Sequence, residues 1–165
     1  MSAGGRLERR PVTRADLPAL FALEVRADQR DLVAPNAKTL AEVAYQPGAD
    51  VWGLWAGGQV VGLMAMIDFR ADPAPLPGDD PACAYLWRLM IAAGAQGQGY
   101  GAQALAMALT TAADWGFERL KLGVADTAHS NIGFYRRYGF AETGEVIDGD
   151  RMLWRRVAPE AGLKE

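Results

Sequence analysis

Gln96-Gly97-Gln98-Gly99-Tyr100-Gly101-Ala102 stands between a run of large strand-forming residues, Ala84 to Ile91, and a run of small and apolar ones reaching Trp115. Its glycines let the backbone turn tightly and bring N–H groups close to a ligand. The helix that begins here adds the positive end of its dipole, so the loop suits a pyrophosphate. No Lys-Ser/Thr follows, which excludes a Walker-type triphosphate loop. The Gly-x-Gly spacing also overlaps the dinucleotide pattern, which asks for an acid roughly 20 residues on, at the end of the next strand. Glu118, 21 positions after Gly97, precedes that strand, and the loop sits mid-chain without a second β-α-β half. A purely structural turn is the other alternative to a pyrophosphate-binding loop.

Outward from the loop, the pattern predicts a strand over Ala84 to Ile91 and a helix over Gly99 to Trp115. The helix has small and apolar positions at Ala102, Leu105, Ala106, Leu109, Ala112 and Ala113. Arg119 to Val124 alternates as a strand with Leu120, Leu122 and Val124 on one face. Ser130 to Tyr138 reads as a short helix. Phe140 to Val146 and Arg151 to Val157 read as strands around an Asp148-Gly149 turn. Upstream, Arg6 to Thr13 is a strand, and Thr13 with Asp16 resembles a capping box. The following helix carries Leu17, Leu20 and Phe21; extending its stripe reaches Glu24 and Asp28. Lys38 to Tyr45 is a helix ended by Pro47-Gly48. Val51 to Trp55 and Val60 to Phe69 form a hairpin around Gly57-Gly58. Residues 71–82 hold Pro73, Pro75, Pro77 and Pro81 and form a loop. The order β-α-α-β-β-β-α-β-α-β-β implies an α/β (α+β) fold: a mixed, mostly antiparallel sheet flanked by helices around one central β-α-β unit.

Composition narrows the chemistry. Half of the 165 residues are hydrophobic and 22% are charged, the balance of one packed domain over 1–165. A net charge of −3 argues against a nucleic-acid partner and allows a cationic substrate. The single cysteine, Cys83, excludes an internal disulfide and a Cys-rich zinc site, so no metal is expected. The single histidine, His129, is the one candidate for a Ser-His-Asp or Cys-His mechanism. No apolar run approaches the roughly 20 residues of a membrane span. The start, MSAGGRLERR, lacks the apolar region of a signal peptide, so a soluble cytoplasmic protein is expected.

The loop resembles the acetyl-coenzyme A loop of the GCN5-related N-acetyltransferase (GNAT) family, Gln-x-x-Gly-x-Gly/Ala after a strand, with Gln96, Gly99 and Gly101 at its key positions. Phe134-Tyr135-Arg136-Arg137-Tyr138-Gly139-Phe140 is similar to that family's Tyr-x-x-x-Gly-Phe segment. A narrower resemblance joins Leu86-Trp87-Arg88-Leu89-Met90-Ile91, the glycine loop and Gly139-Phe140-Ala141-Glu142-Thr143-Gly144-Glu145. With Val33-Ala34-Pro35-Asn36 and Leu40-Ala41-Glu42 upstream, these look like the bacterial spermine/spermidine acetyltransferases of the BltD type.

The resemblance implies acetyl transfer from acetyl-CoA to a small primary amine, a polyamine or diamine first. The alternatives are another amine (antibiotic, amino acid or protein N-terminus) or a non-catalytic acetyl-CoA-binding module. It implies that Met90 and Ile91 offer backbone groups to the pantetheine arm. Gln98, Gly99, Tyr100, Gly101 and Ala102 would hold the pyrophosphate, with Gln96 and Gly97 shaping the entry and Phe134 beside the cofactor. Tyr135 would protonate the departing thiolate. Where the family often has an asparagine, this chain has Ala128; either Asn131, three residues on, reaches the cofactor from a shifted register, or that contact is missing. An amine with a lysine-like pKa near 10.4 is mostly protonated at neutral pH and must lose a proton. Glu24 is the expected base, with Asp28 and Glu42 anchoring the ammonium and Trp87 and Arg88 lining the acceptor cleft. Many relatives dimerise, and the last strand, which carries Trp154, could contribute to a homodimer contact.

Overall fold

The computed structural model describes residues 4–158. Its elements are β1 (Leu7–Pro11), α1 (Leu17–Ala22), α2 (Asn36–Val43), β2 (Ala49–Ala56), β3 (Gln59–Ile67), β4 (Ala84–Ile91), α3 (Tyr100–Asp114), β5 (Arg119–Ala125), α4 (Ile132–Arg137), β6 (Ala141–Ile147) and β7 (Asp150–Arg156). They form the expected α+β fold. One sheet runs β1-β2-β3-β4-β5-β7-β6. Every neighbouring pair is antiparallel except β4 and β5. The parallel pair arises because α3 carries the chain back across the sheet, the crossover that parallel strands require.

That parallel pairing is short. Ala84, Leu86 and the residue between them face Leu120 to Leu122, and the ladder stops there. β4 continues to Ile91 against β3, while β5 continues to Ala125 against β7. Past Leu86 the two central strands are therefore held by their outer neighbours and not by each other. A gap opens in the middle of the sheet.

The larger core lies on the face covered by α3 and α4, where Leu54, Met64, Leu86, Leu120, Leu122 and Leu153 pack with Leu105 and Phe140. α3 turns Ala104, Leu105, Ala108, Thr111 and Ala112 inward. That stripe is rotated from the expected one, because Ala106 and Ala113 face solvent. Its alanines bring the helix axis close to the sheet. The other face is covered by α1 and α2, through Leu20 against Leu63 and Met90. Thr13 and Asp16 form the anticipated cap, the Thr13 N–H donating to Asp16 Oδ2 at 2.8 Å. The cap opens a short 3-10 turn that runs into α1.

Arg70 fastens the loop after β3. Its guanidinium lies 3.9 Å from the Phe117 ring centroid and donates to the Trp115 carbonyl at 2.8 Å. It also clasps Asp68, whose carboxyl is held below its ordinary range chiefly by that hydrogen bond. The proline-rich segment thus leaves from a fixed point.

Candidate functional site

Two cavities share the walls of the gap between β4 and β5. Leu32 and Val33 from the loop before α2, Leu89 of β4, Asn131 at the start of α4 and Tyr135 within it border both. The first cavity, about 510 Å³, extends to the glycine loop. Gly97 and Gly99 adopt φ of +79° and +82°, where L side chains are strained. A Cβ at either would meet nothing within 4 Å, so the backbone presents bare amides. The Gln103 N–H bonds the Gly99 carbonyl at 3.2 Å, which leaves the N–H groups of Tyr100, Gly101 and Ala102 without helical acceptors. No side chain caps this helix. Gln96 pins the loop, its Nε2 donating to the Ile91 carbonyl at 2.9 Å and to Gln29 Oε1 at 2.7 Å.

β4 supplies the second feature of this cavity. The Ala92 N–H donates to the Val61 carbonyl at 2.8 Å. With Leu63 opposite Met90 and Ala65 opposite Arg88, the two-residue repeat of an antiparallel ladder directs Met90 and Arg88 backbone groups to β3. Those of Leu89 and Ile91 point into the gap. An uncapped helix start and an unpaired strand edge make a cradle for a long ligand with a phosphorylated end.

Tyr135 sits between the cavities, 7% exposed, with ring contacts to Phe134 at 5.1 Å and Phe140 at 5.7 Å. Burial pushes its phenol up to about 12, so the proton stays on at neutral pH. The second cavity, about 750 Å³, is lined by the acids Asp31, Glu42, Asp79, Asp80, Asp148 and Asp150 against the cations Arg30, Lys38, Arg88 and Lys121. Several cations are engaged: Lys121 Nζ lies 2.8 Å from Glu145 and 3.7 Å from Asp80, while Arg88 reaches Glu42 at 3.4 Å and lies over the Trp87 ring. Cys83 is buried, and that burial first, then Asp80, pushes its thiol up to about 11. A thiol so shifted is protonated and unreactive at neutral pH.

The structure brings together most of the residues singled out in the sequence. Met90, Ile91, Gln96, Gly97, Gly99, Tyr100, Gly101, Ala102, Asn131 and Phe134 line the first cavity. Glu42, Trp87 and Arg88 line the second. Gln98 lines neither, its backbone packing instead against Gly4. Glu24 and Asp28 also lie outside both cavities. The reason is local: α1 ends at Ala22 and Leu23 is extended, so the helical stripe never reaches them. The Glu24 side chain is 74% exposed near Arg30, and Asp28 pairs with Arg26. Sequence reasoning missed Leu89, Gln29 and the acids of the loop and the last hairpin. An alternation count along β4 from the family motif would have found Leu89.

The sequence model described as the acetyltransferase (GNAT) family matches residues 17–140. No curated protein matches the chain. Among solved structures, an N-acetyltransferase from Thermoplasma acidophilum in complex with coenzyme A is 16% identical, with TM-score 0.65 over 92% of this chain and 99% of that one. An aminoglycoside acetyltransferase in complex with coenzyme A is 17% identical, with TM-score 0.71 over 92% and 95%. The ribosomal-protein-S18-alanine N-acetyltransferase from Escherichia coli is 17% identical, with TM-score 0.65 over 97% and 99%. These are likenesses of fold.

Proposed function

The chain belongs to the acetyltransferase (GNAT) family, and on that premise we propose that it moves the acetyl group of acetyl-CoA to a primary amine, a polyamine or diamine such as spermidine or spermine. The observation that carries this reading is the meeting of two unlike cavities at Tyr135. One offers bare amides to a pyrophosphate. The other offers mostly acids to a cation. The coenzyme A complexes of the fold relatives support acetyl-CoA as the cosubstrate. The acid excess of the larger cavity, together with the likeness to the BltD-type segment, supports a polycationic acceptor.

In this reading the N–H groups from Gly99 to Ala102 bind the pyrophosphate, with Gln96 holding the loop in shape. Leu89 and Ile91 pair their backbone with the pantetheine arm, while Met90 serves through its packing on Asn36 and β3. Asn131 and Phe134 border the arm near the reaction point. Glu42, Trp87 and Arg88 border the acceptor. Tyr135 holds the proton that the departing thiolate takes. Burial raises the phenol, so it gives up that proton only to the negative charge that develops on sulfur as the C–S bond breaks.

Thiol release from acetyl-CoA is the test, run with spermidine, putrescine, an aminoglycoside, free amino acids and an alanine-terminated peptide. Turnover fastest with the polyamines supports the reading. Preference for the peptide or an amino acid replaces the acceptor class. Binding of acetyl-CoA with no turnover on any amine removes the enzymatic claim.

A further inference from the structure

We propose that Asp150, the first residue of β7, is the carboxylate that receives the proton of the incoming amine. The inference rests on the acetyl-transfer reading and adds to it a residue that the sequence motifs do not reach. Asp150 lines the acceptor cavity that Tyr135 also borders. It pairs with Ala125 of β5 across the ladder, on the strand that bounds the gap. Gly123 explains how the carboxylate gets there. A Cβ on Gly123 would stand 3.2 Å from both the Cβ and Oδ2 of Asp150, so the side chain lies over the bare backbone of β5. Any larger residue at position 123 would push it away.

The groups around Asp150 suit this role. Arg88 and Tyr85 face it from β4, and Asp148 faces it from the hairpin turn, with Asp79 of the proline-rich loop near Tyr85. Asp148 is exposed and adds a second negative charge at the entrance. Arg88 already leans on Glu42, and no salt bridge joins Asp150 to any described residue. The carboxylate is therefore free to meet a cation. Burial first, then Asp148, raises its pKa against the opposing pull of Arg88, which makes it a better proton acceptor than a surface acid.

An ammonium docks at Asp150 and gives it one proton, which passes on to water through the open cavity. The nitrogen lone pair forms the C–N bond to the thioester carbonyl carbon. The C–S bond breaks with its electron pair on sulfur, and Tyr135 protonates that sulfur. The proton still in excess on nitrogen returns to the phenolate through solvent. Amide, thiol and one released proton result.

Wild type, Asp150→Asn and Gly123→Ala would be compared by two readouts. One is calorimetric binding of spermidine to the protein with coenzyme A present. The other is acetylation rate against pH, with acetyl-CoA thermal stabilisation reporting an intact cofactor site. Asp150→Asn is expected to lower kcat at pH 7 by about 100-fold or more. The deficit should shrink as the pH approaches the amine pKa, where the neutral amine needs no base. Gly123→Ala keeps the carboxylate but moves it, and should lose part of the same rate. Wild-type kcat in Asp150→Asn overturns the proposal, as does a loss that stays constant with pH. If wild type turns over no amine, the acetyl-transfer reading fails by itself; weakened spermidine binding in Asp150→Asn then still supports the site, and unchanged binding overturns it.

Discussion

Tyr135 and Asp150 divide the proton traffic in this reading, and their surroundings differ accordingly. Tyr135 is enclosed by Phe134 and Phe140 and keeps its proton until a strong base appears beside it. Tyr135→Phe keeps the ring contacts and removes the hydroxyl. It should lower kcat at least tenfold while leaving acetyl-CoA affinity unchanged, measured by single-turnover kinetics and thermal shift. Asp150 carries a stability consequence of opposite sign to most acids. Its folded pKa lies above the unfolded one, so its contribution to stability is gained as pH falls through the raised value and lost above it. At neutral pH the ionised group works against the fold. Asp150→Asn should therefore melt no lower than wild type at pH 7, with any advantage vanishing near about pH 4, where carboxyls protonate. A markedly lower melting point would mean that the carboxylate holds structure together.

α3 and β4 do the work that side chains do elsewhere. Gly99 starts α3 in the left-handed region with open space where a Cβ would go. Gly99→Val should cost about 1 kcal/mol of stability from backbone strain. It should also raise the KM for acetyl-CoA well above tenfold, leaving the KM for amine within twofold, because it obstructs one cavity only. On the inner face Leu105 is 1% exposed between the sheet and the helix. Leu105→Ala should lower unfolding free energy by roughly 2–5 kcal/mol in denaturant titration. The limits of α2 and of the hairpins β2-β3 and β6-β7 were legible because breakers mark them. Pro47-Gly48, Gly57-Gly58 and Asp148-Gly149 all stand at turns, the last of them holding Asp148 at φ +52°. α1 was not legible in the same way. Its apolar pattern continues past Ala22, but Leu23 turns extended, and the Glu24 carbonyl instead accepts the Ala93 N–H at 2.8 Å. That backbone bond ties the loop after α1 to the end of β4. A tertiary contact overrode the local pattern.

At the scale of the whole molecule, the cofactor side of the site could be read from the chain because it is contiguous: a strand, a loop and a helix start within twenty residues or so of one another. The acceptor side could be read only at Glu42, Trp87 and Arg88. Its acids beyond Asp31 and Glu42 come from the proline-rich loop and from the last hairpin, which lie far apart in sequence. They meet because β7, not β6, pairs with β5, so the later strand of the hairpin is inserted beside the gap. Local patterns show a hairpin and do not show which of its strands lies inside. Among the described residues no helix is long and apolar enough to cross a membrane, and no cluster of acids, cysteines or histidine could hold a metal ion. The most direct measurement is initial-rate thiol release from acetyl-CoA with spermidine, by wild type and Tyr135→Phe at matched acetyl-CoA saturation. Saturable release by wild type with acetylspermidine as product, reduced at least tenfold in the variant, is the expected result. Equal release by both proteins, or release that does not depend on spermidine, would contradict it.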